Sequence, residues 1–384
     1  MKRLIYLVNT RLPTERAYGV QITKMCEAFA DLGQDVELVF PYRKNIIKKD
    51  VFSYYNLKRN FKATKLQSPD FYFPGVFDRP AFFIKSLISV IRIAKNILPS
   101  KPDLIFTRDE LSAYVLSFLG KNICLEAHRL SGFKRLFYRR FKKIGMKIVV
   151  ISEGLKKEFV KKGFEAQNIL VVHDGVDTEE FDVKESTEEL RRSFGFPVGK
   201  IIIGYVGQLR TMGMEKGIGS FLEAFNELKN KHKNLMAVIV GGSDGDITTY
   251  KELAQKIGLN DIEIFFTGRK EHKLIPAYLK SFDLLVMPFP YNQHYAFYMS
   301  PLKMFEYMAS GRPIVATDLP VVKEVLNKNN SFLVKPDSSS ALANGMGYVI
   351  ENPDFAKKIV EQALEDVKNY TWTKRAAKIL EFIR

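Results

Sequence analysis

Short apolar runs alternate with helical patterns along this chain, and the alternation runs through twice. Leu4–Thr10 is an apolar run of strand length. Val20–Leu32 follows, with Ile22, Met25, Cys26 and Phe29 at helical spacing and Gly33 placed to close the helix in a left-handed conformation. Asp35–Pro41, Leu104–Thr107, Asn122–Leu125, Lys147–Ser152 and Asn168–Val172 continue the series. A second series starts at Lys200–Gly207 and goes on through Leu235–Gly242, Ile262–Gly268, Leu284–Pro290, Pro313–Asp318 and Ser331–Lys335. Strands separated by helices need right-handed crossovers, and so mostly parallel sheets. The predicted class is α/β, with two doubly wound Rossmann-like domains. A length of 384 residues also exceeds what one core usually spans.

The seam is the polar stretch His173–Pro197, HDGVDTEEFDVKESTEELRRSFGFP, which ends in Gly-Phe-Pro punctuation. It sets the expected domains at 1–173 and 199–368, with an interdomain linker at 174–198 and a closing helical segment at 369–384. Ligands bind outside the carboxyl ends of strands in such sheets, so two facing domains predict a site in the cleft between them.

Composition narrows the class. Hydrophobic residues are 46% and charged residues 27%, which argues against extended disorder. Two cysteines, Cys26 and Cys124, are too few for a disulfide scaffold or a zinc cluster and fit a reducing, cytoplasmic setting. The opening residues lack the features of a signal peptide. Ala81–Leu98 is the most apolar later stretch. It contains Lys85, Arg92 and Lys95, which argues against a transmembrane helix, and Ile84, Leu87, Ile88 and Ile91 read as a buried stripe. The net charge of +16 is uneven. Residues 1–184 hold 33 Lys+Arg against 20 Asp+Glu, whereas the remaining 200 hold 26 against 23. The basic half implies an anionic partner: a nucleic acid, a membrane surface or a phosphorylated substrate. No recognised nucleic-acid module is present, so nucleic acid is the least favoured.

Four loops carry candidate chemistry. In YMSPLKMFEYMASGRPIVATDLP, Ser300 reads as an N-cap, Pro301 as the first helical residue and Gly311 as the C-terminal cap. The helix start offers the amides of Leu302 and Lys303, the Ser300 hydroxyl and the Lys303 ammonium to an anion. Glu306, one turn further in, is suited to a diol. The same residues equally describe a well-capped structural helix. In GYVGQLRTMGMEKG a strand ends at Gly207, Arg210 lies in the loop and Lys216-Gly217 opens a helix. This is a phosphate-binding arrangement or a polar loop before a helix. In NTRLPTERAYGVQ, Gly19 permits close approach of a ligand or simply permits the turn. His128 in LEAHR falls just past a strand's carboxyl end. No His/Cys/Asp spacing suggests a metal site.

Taken together, the early Gly loop, the E-x-H of LEAHR, the HDGVD seam, GQLR…KG, FTGR and SPLKMFEYMASGRPIVATDLP resemble the GT-B glycosyltransferases of the group 1, retaining (family 4) type, in the family's order over nearly the whole chain. The resemblance implies the following roles. Arg210 and Lys216 bind the diphosphate of a sugar nucleotide, as does the Ser300–Lys303 helix start. Glu306 holds the ribose hydroxyls, and Gly19 lies under the diphosphate from the opposite domain. His128 contacts the donor sugar, Arg269 with Gly268 borders the base, and Gly207 ends the strand beneath the nucleotide. The segment YTWTKRAAKILEFI resembles the closing helix that crosses back onto the N-terminal domain. The family's reaction needs no metal ion or other cofactor. Two positions depart from its pattern. Tyr298 stands where a first motif Glu is common, and Gln208 stands where a basic residue often follows the strand glycine.

The expectation is a retaining, metal-independent sugar transfer from a nucleotide-sugar donor, UDP-sugar first and GDP-mannose second, to a glycan or lipid-linked acceptor. Phe133–Lys147, basic throughout and interleaved with apolar residues, is a candidate for an anionic membrane surface; a solvated helix with a core stripe fits it as well. An epimerase or hydrolase on the same fold, and a non-catalytic sugar-nucleotide-binding partner, are the competing readings.

Overall fold

The structure is a computed structural model that describes residues 2–384 except 72, 74–77, 98, 100, 121 and 131–134, with the backbone alone for 78–82. It divides into two compact units, Met1–Asp174 with Trp372–Arg384, and Gly175–Thr371. In chain order the strands of the first unit are β1 (Arg3–Leu7), β2 (Asp35–Pro41), β3 (Lys62–Leu66), β4 (Leu104–Thr107), β5 (Ile123–Ala127), β6 (Lys147–Val150) and β7 (Ile169–Val171). Those of the second are β8 (Ile201–Val206), β9 (Arg210–Thr211), β10 (Met214–Glu215), β11 (Leu235–Val240), β12 (Ile264–Gly268), β13 (Leu284–Met287), β14 (Ile314–Thr317) and β15 (Phe332–Val334).

The first sheet has the order β3-β2-β1-β4-β5-β6-β7 and the second β12-β11-β8-β13-β14-β15, every pairing being parallel. β9 and β10 form a separate antiparallel hairpin. The central strands of both sheets are buried on both faces, which is why they read as unbroken apolar runs. β8 sends Ile202 and Val206 to one core and Ile203 and Tyr205 to the other. In each sheet the order reverses at one point, between β1 and β4 and between β8 and β13, and loops at such switch points hold ligands.

The expected linker, 174–198, is from Gly175 onward built into the second unit. It holds a helix, Thr187–Phe194, opened by a Ser186/Glu189 capping box. Arg191 of that helix is buried and donates to the carbonyls of Ser281, Val198 and Lys200 and to Asp283 Oδ2. The last helix, Trp372–Ile383, packs on Ala17–Asp31 within the first unit.

The buried stripe expected on Ile84, Leu87, Ile88 and Ile91 is not the one observed. In the helix Asp78–Ile97, Ile84 and Ile91 are exposed, whereas Lys85, Ser86, Ser89, Val90, Ile93 and Ala94 are buried. The inward face is partly polar because it closes over a polar cluster. Lys85 pairs with Asp70 at 3.2 Å, and Ser89 shares hydrogen bonds with Ser68 and Arg43. Leu98 of the predicted stretch lies outside the described residues, as do Phe133 and Lys134 of the basic stretch. Among the described residues no helix is long and apolar enough to cross a membrane.

Candidate functional site

Each unit gathers chemistry-bearing side chains at the carboxyl ends of its strands. In the second unit the helix Leu302–Ala309 is fastened to the end of β8 by Tyr307. Its hydroxyl accepts from the Val206 N–H at 2.8 Å and donates to the Val206 carbonyl at 3.3 Å. This places Lys303 against the Gly207 turn. The Lys303 Nζ lies 3.5 Å from the centroid of the Tyr205 ring and 5.5 Å from that of Phe289. A Cβ on Gly207, whose φ is +133°, would come within 2.9 Å of that nitrogen. Lys303 is buried, and its Nζ has no hydrogen-bond partner.

Burial pushes the Lys303 ammonium well below the usual lysine range. Lys216 pushes the same way and Glu306 opposes. Burial also brings Lys216 down to about 8. His294 is lowered by its own burial and then by Lys216. Two neighbouring cations, one of them buried and unbonded, are unfavourable on their own and favourable around an anion.

The start of this helix differs from expectation. Pro301, not Ser300, is the N-cap, with φ −76° and ψ 124°, and it offers no side-chain acceptor to the first-turn amides. Proline's fixed φ suits the extended cap as well as the first turn, so the helix opens one residue later, at Leu302. The buried Ser300 lies just ahead of it. Glu306, on the same helix, receives a hydrogen bond at Oε1 from His272 Nε2 at 2.8 Å. Arg269 is exposed, directly after Gly268 at the end of β12. Arg210 pairs with Glu215, the residue before Lys216. It lies in the β9–β10 hairpin, its Nε 3.5 Å from Asp246 Oδ1 and its guanidinium 5.9 Å from the Tyr250 centroid. Among the described residues no group of three or more His, Cys, Asp or Glu gathers to hold a metal ion.

In the first unit the centre is Glu126, the fourth residue of β5, wholly buried. Its Oε1 receives Gln21 Nε2 at 2.6 Å, Arg375 Nη2 at 2.6 Å and His128 Nε2 at 3.0 Å, and its Oε2 receives the Tyr6 hydroxyl at 2.9 Å. Arg108 donates to Gln21 Oε1 at 2.5 Å, which orients the amide toward Glu126. Burial alone would raise the Glu126 carboxyl, but Arg375, the His128 bond and Arg108 hold it well below the carboxylate range. An ionised carboxylate only accepts hydrogen bonds, so the His128 proton sits on Nε2. Burial and Arg108 lower the His128 pKa against the pull of Glu126, which favours the neutral ring with Nδ1 as acceptor.

Gly19 lies inside the first turn of the helix Ala17–Asp31 rather than at its start. A Cβ there would come 2.0 Å from the Tyr55 hydroxyl, which accepts from the Thr14 N–H and donates to the Thr14 carbonyl. The protein's own tyrosine occupies the space this glycine leaves.

Sequence reasoning missed Glu126, Gln21, Arg108, Arg375, Tyr205 and His272 as members of these clusters. Glu126 and His272 were within reach of the rule that selected His128, since both stand at or just past a strand's carboxyl end. Arg375 carried no local signal.

Residues 186–366 match the family model of glycosyl transferases group 1, and residues 19–180 that of glycosyltransferase family 4. The chain belongs to the group 1 glycosyltransferases of GT-B architecture. It is 25% identical over 248 residues to a D-inositol 3-phosphate glycosyltransferase of Corynebacterium urealyticum, a stretch covering 62% of this chain and 56% of that relative. The chain thus spans little more than half the length of that protein. Among solved structures it resembles a glycosyltransferase from Rickettsia africae, with a TM-score of 0.77 and 19% identity over 100% of this chain and 97% of that one. It also resembles Anabaena HepE in complex with UDP and glucose, with a TM-score of 0.74 and 17% identity over 99% of both chains. At these identities the likeness is one of fold.

Proposed function

We propose that this chain transfers a sugar from a nucleotide-sugar donor to a glycan or lipid-linked acceptor, with retention at the anomeric carbon and without a metal ion. The observation that carries the reading is Lys303: a buried ammonium with no hydrogen-bond partner, beside Lys216, at the start of a helix, in a chain of this family. A diphosphate supplies the missing negative charge and acceptor oxygens. UDP-sugar is the first donor class, supported by the UDP complex of a like-folded protein, and GDP-mannose the second.

In this reaction the bond from the anomeric carbon to the diphosphate oxygen breaks. A bond to the acceptor oxygen forms on the same face, and the acceptor proton passes to the departing phosphate. Lys216, Lys303, Ser300, the amides of Leu302 and Lys303 and the helix dipole stabilise the charge that grows on the leaving group. Glu306 holds the ribose hydroxyls, Arg269 borders the base and His128 accepts a hydrogen bond from the sugar. Arg210, a half-exposed side chain beside Asp246, joins Lys216 on the diphosphate in this scheme.

The test is a thermal-shift series with UDP, GDP, ADP, TDP and their sugars, with no metal added. A ligand bound only by the folded chain raises Tm. A rise with one nucleotide is the expected result, and no rise with any of them overturns the reading.

The acceptor reading includes an anionic membrane surface. In the helix Arg135–Lys143, Tyr138 and Phe141 face the core, while Leu136 is 63% exposed among exposed Arg135, Arg139, Lys142 and Lys143. Exposed Phe118 lies under the Arg140 guanidinium nearby. Apolar residues among cations suit an interface of anionic lipid. Cosedimentation with anionic vesicles that weakens with salt is expected, and no binding at low salt overturns this part.

A further inference from the structure

His272 and Glu306 meet from two separately anchored elements of the second unit. Glu306 belongs to the helix that Tyr307 fastens to β8. His272 opens a short 3-10 turn beyond β12, which runs into the helix Ile275–Lys280, where Ile275, Tyr278 and Leu279 are buried. Neither backbone is free to drift, and the 2.8 Å bond between His272 Nε2 and Glu306 Oε1 is set by the fold.

Glu306 has a competing partner. Lys303 is three residues earlier on the same helix, and side chains so spaced lie on one face within reach of each other. The Lys303 ammonium is buried, feels the Glu306 charge, and yet makes no hydrogen bond. A carboxylate free to turn toward it would form the pair that buried charges require. His272 holds one carboxylate oxygen in another direction. The second oxygen of Glu306 carries no hydrogen bond among the described residues.

We infer that His272 is a positioning residue with two effects: it keeps Glu306 off Lys303, so that Lys303 stays available to a diphosphate, and it presents the second Glu306 oxygen to a vicinal diol. This rests on the proposed nucleotide-sugar reading. With His272 truncated, Glu306 closes onto Lys303. The diphosphate then loses its cation and the ribose its acceptor, while the internal ion pair leaves the fold as stable as before or more so. A residue needed only for packing would lower stability without selectively changing ribose recognition.

The experiment is calorimetric titration of UDP and GDP, each against its 2′-deoxy counterpart, and of inorganic pyrophosphate, with Tm recorded in parallel. Wild-type protein should prefer the ribonucleotide by about tenfold, the worth of one hydrogen bond to a charged group. His272→Ala should bring that ratio close to one and weaken pyrophosphate binding by a similar factor, with Tm unchanged or raised. His272→Gln, which returns a donor at comparable reach, should restore both. A ratio and pyrophosphate affinity unchanged in His272→Ala, beside a wild-type protein that discriminates, overturn the inference alone. So does a loss that His272→Gln does not restore. Wild-type protein that binds neither UDP nor GDP overturns the nucleotide reading and this one with it.

Discussion

The guanidinium of Arg375, on the last helix, donates to the Glu126 carboxylate at 2.6 Å across 249 positions of sequence, and both side chains are almost wholly buried. A buried pair adds little relative to well-packed apolar residues, but removing one member leaves an uncompensated charge. Glu126→Ala and Arg375→Ala should each cost about 3–5 kcal/mol of unfolding free energy. Glu126→Ala with Arg375→Ala should cost less than the two single changes added together. Urea denaturation of the wild type, the two single variants and the double variant measures the coupling, and simple additivity would mean that the pair is not a unit.

Acid should weaken the fold in two steps. Burial pushes the His173 imidazole from its ordinary 6.5 down to about 4. His128 is lowered by burial and Arg108, and Glu126 is held well below its ordinary 4.5. All three bind protons more weakly folded than unfolded, so protons favour the unfolded chain. Their contribution is complete above pH 6.5 and is lost first through the histidine window, from 6.5 toward 4, and then below 4.5 through the Glu126 window. Asp174, raised above its ordinary 3.8 by burial, acts in the opposite sense. Melting temperatures between pH 7.5 and 4.5 should fall by several degrees. His173→Asn, which keeps a donor for the Ile151 carbonyl, should flatten the first step.

The lysine pair should trade stability for binding. Lys303→Met removes a buried, unbonded cation next to Lys216 and keeps much of the apolar volume. It should raise the ligand-free Tm and weaken UDP binding by about tenfold or more. Lys216→Ala should weaken UDP binding by a similar factor. Affinity should also fall as pH rises through about 8, where Lys216 loses its proton. Because Lys303 holds its proton weakly without ligand, UDP should take up protons as it binds. Calorimetry in buffers of different ionisation enthalpy measures that uptake.

Much of this architecture is legible in the sequence because strands covered on both faces read as apolar runs. β3, Lys62–Leu66, escapes that reading. It is an edge strand, KATKL, none of whose residues is buried. The stripe expected on Asp78–Ile97 is displaced because the inward face of that helix closes over Asp70, Ser68 and Arg43, polar partners that apolar periodicity does not register. Within the second unit's cluster Lys303 and Glu306 were accessible as a helix start and its next turn. His272 stands just past a strand's carboxyl end, but its bond to Glu306, like the Tyr205 ring beside Lys303, is a contact across the fold that leaves no local pattern. Arg375 and Glu126 show the same limit at 249 positions.

Gly19 distinguishes a glycine kept for a ligand from one kept for packing. It is helical, so no left-handed conformation demands glycine there. The demand comes from the Tyr55 hydroxyl at 2.0 Å and the Thr14 methyl at 2.7 Å from a built Cβ. Gly19→Ala must move the Tyr55 ring, which breaks its two hydrogen bonds to the Thr14 backbone, each 2.7 Å long. The expected cost is about 1–3 kcal/mol, the range for overpacking a filled site. Tyr55→Phe removes the nearest atom and those bonds in advance, so Gly19→Ala should cost clearly less in that background. A glycine kept clear for a diphosphate would behave differently. Its alanine variant would fold as stably as the wild type, would bind UDP poorly, and would be indifferent to Tyr55→Phe. Denaturation and UDP titration of the four proteins separate the two, and the packing outcome is the one these distances require.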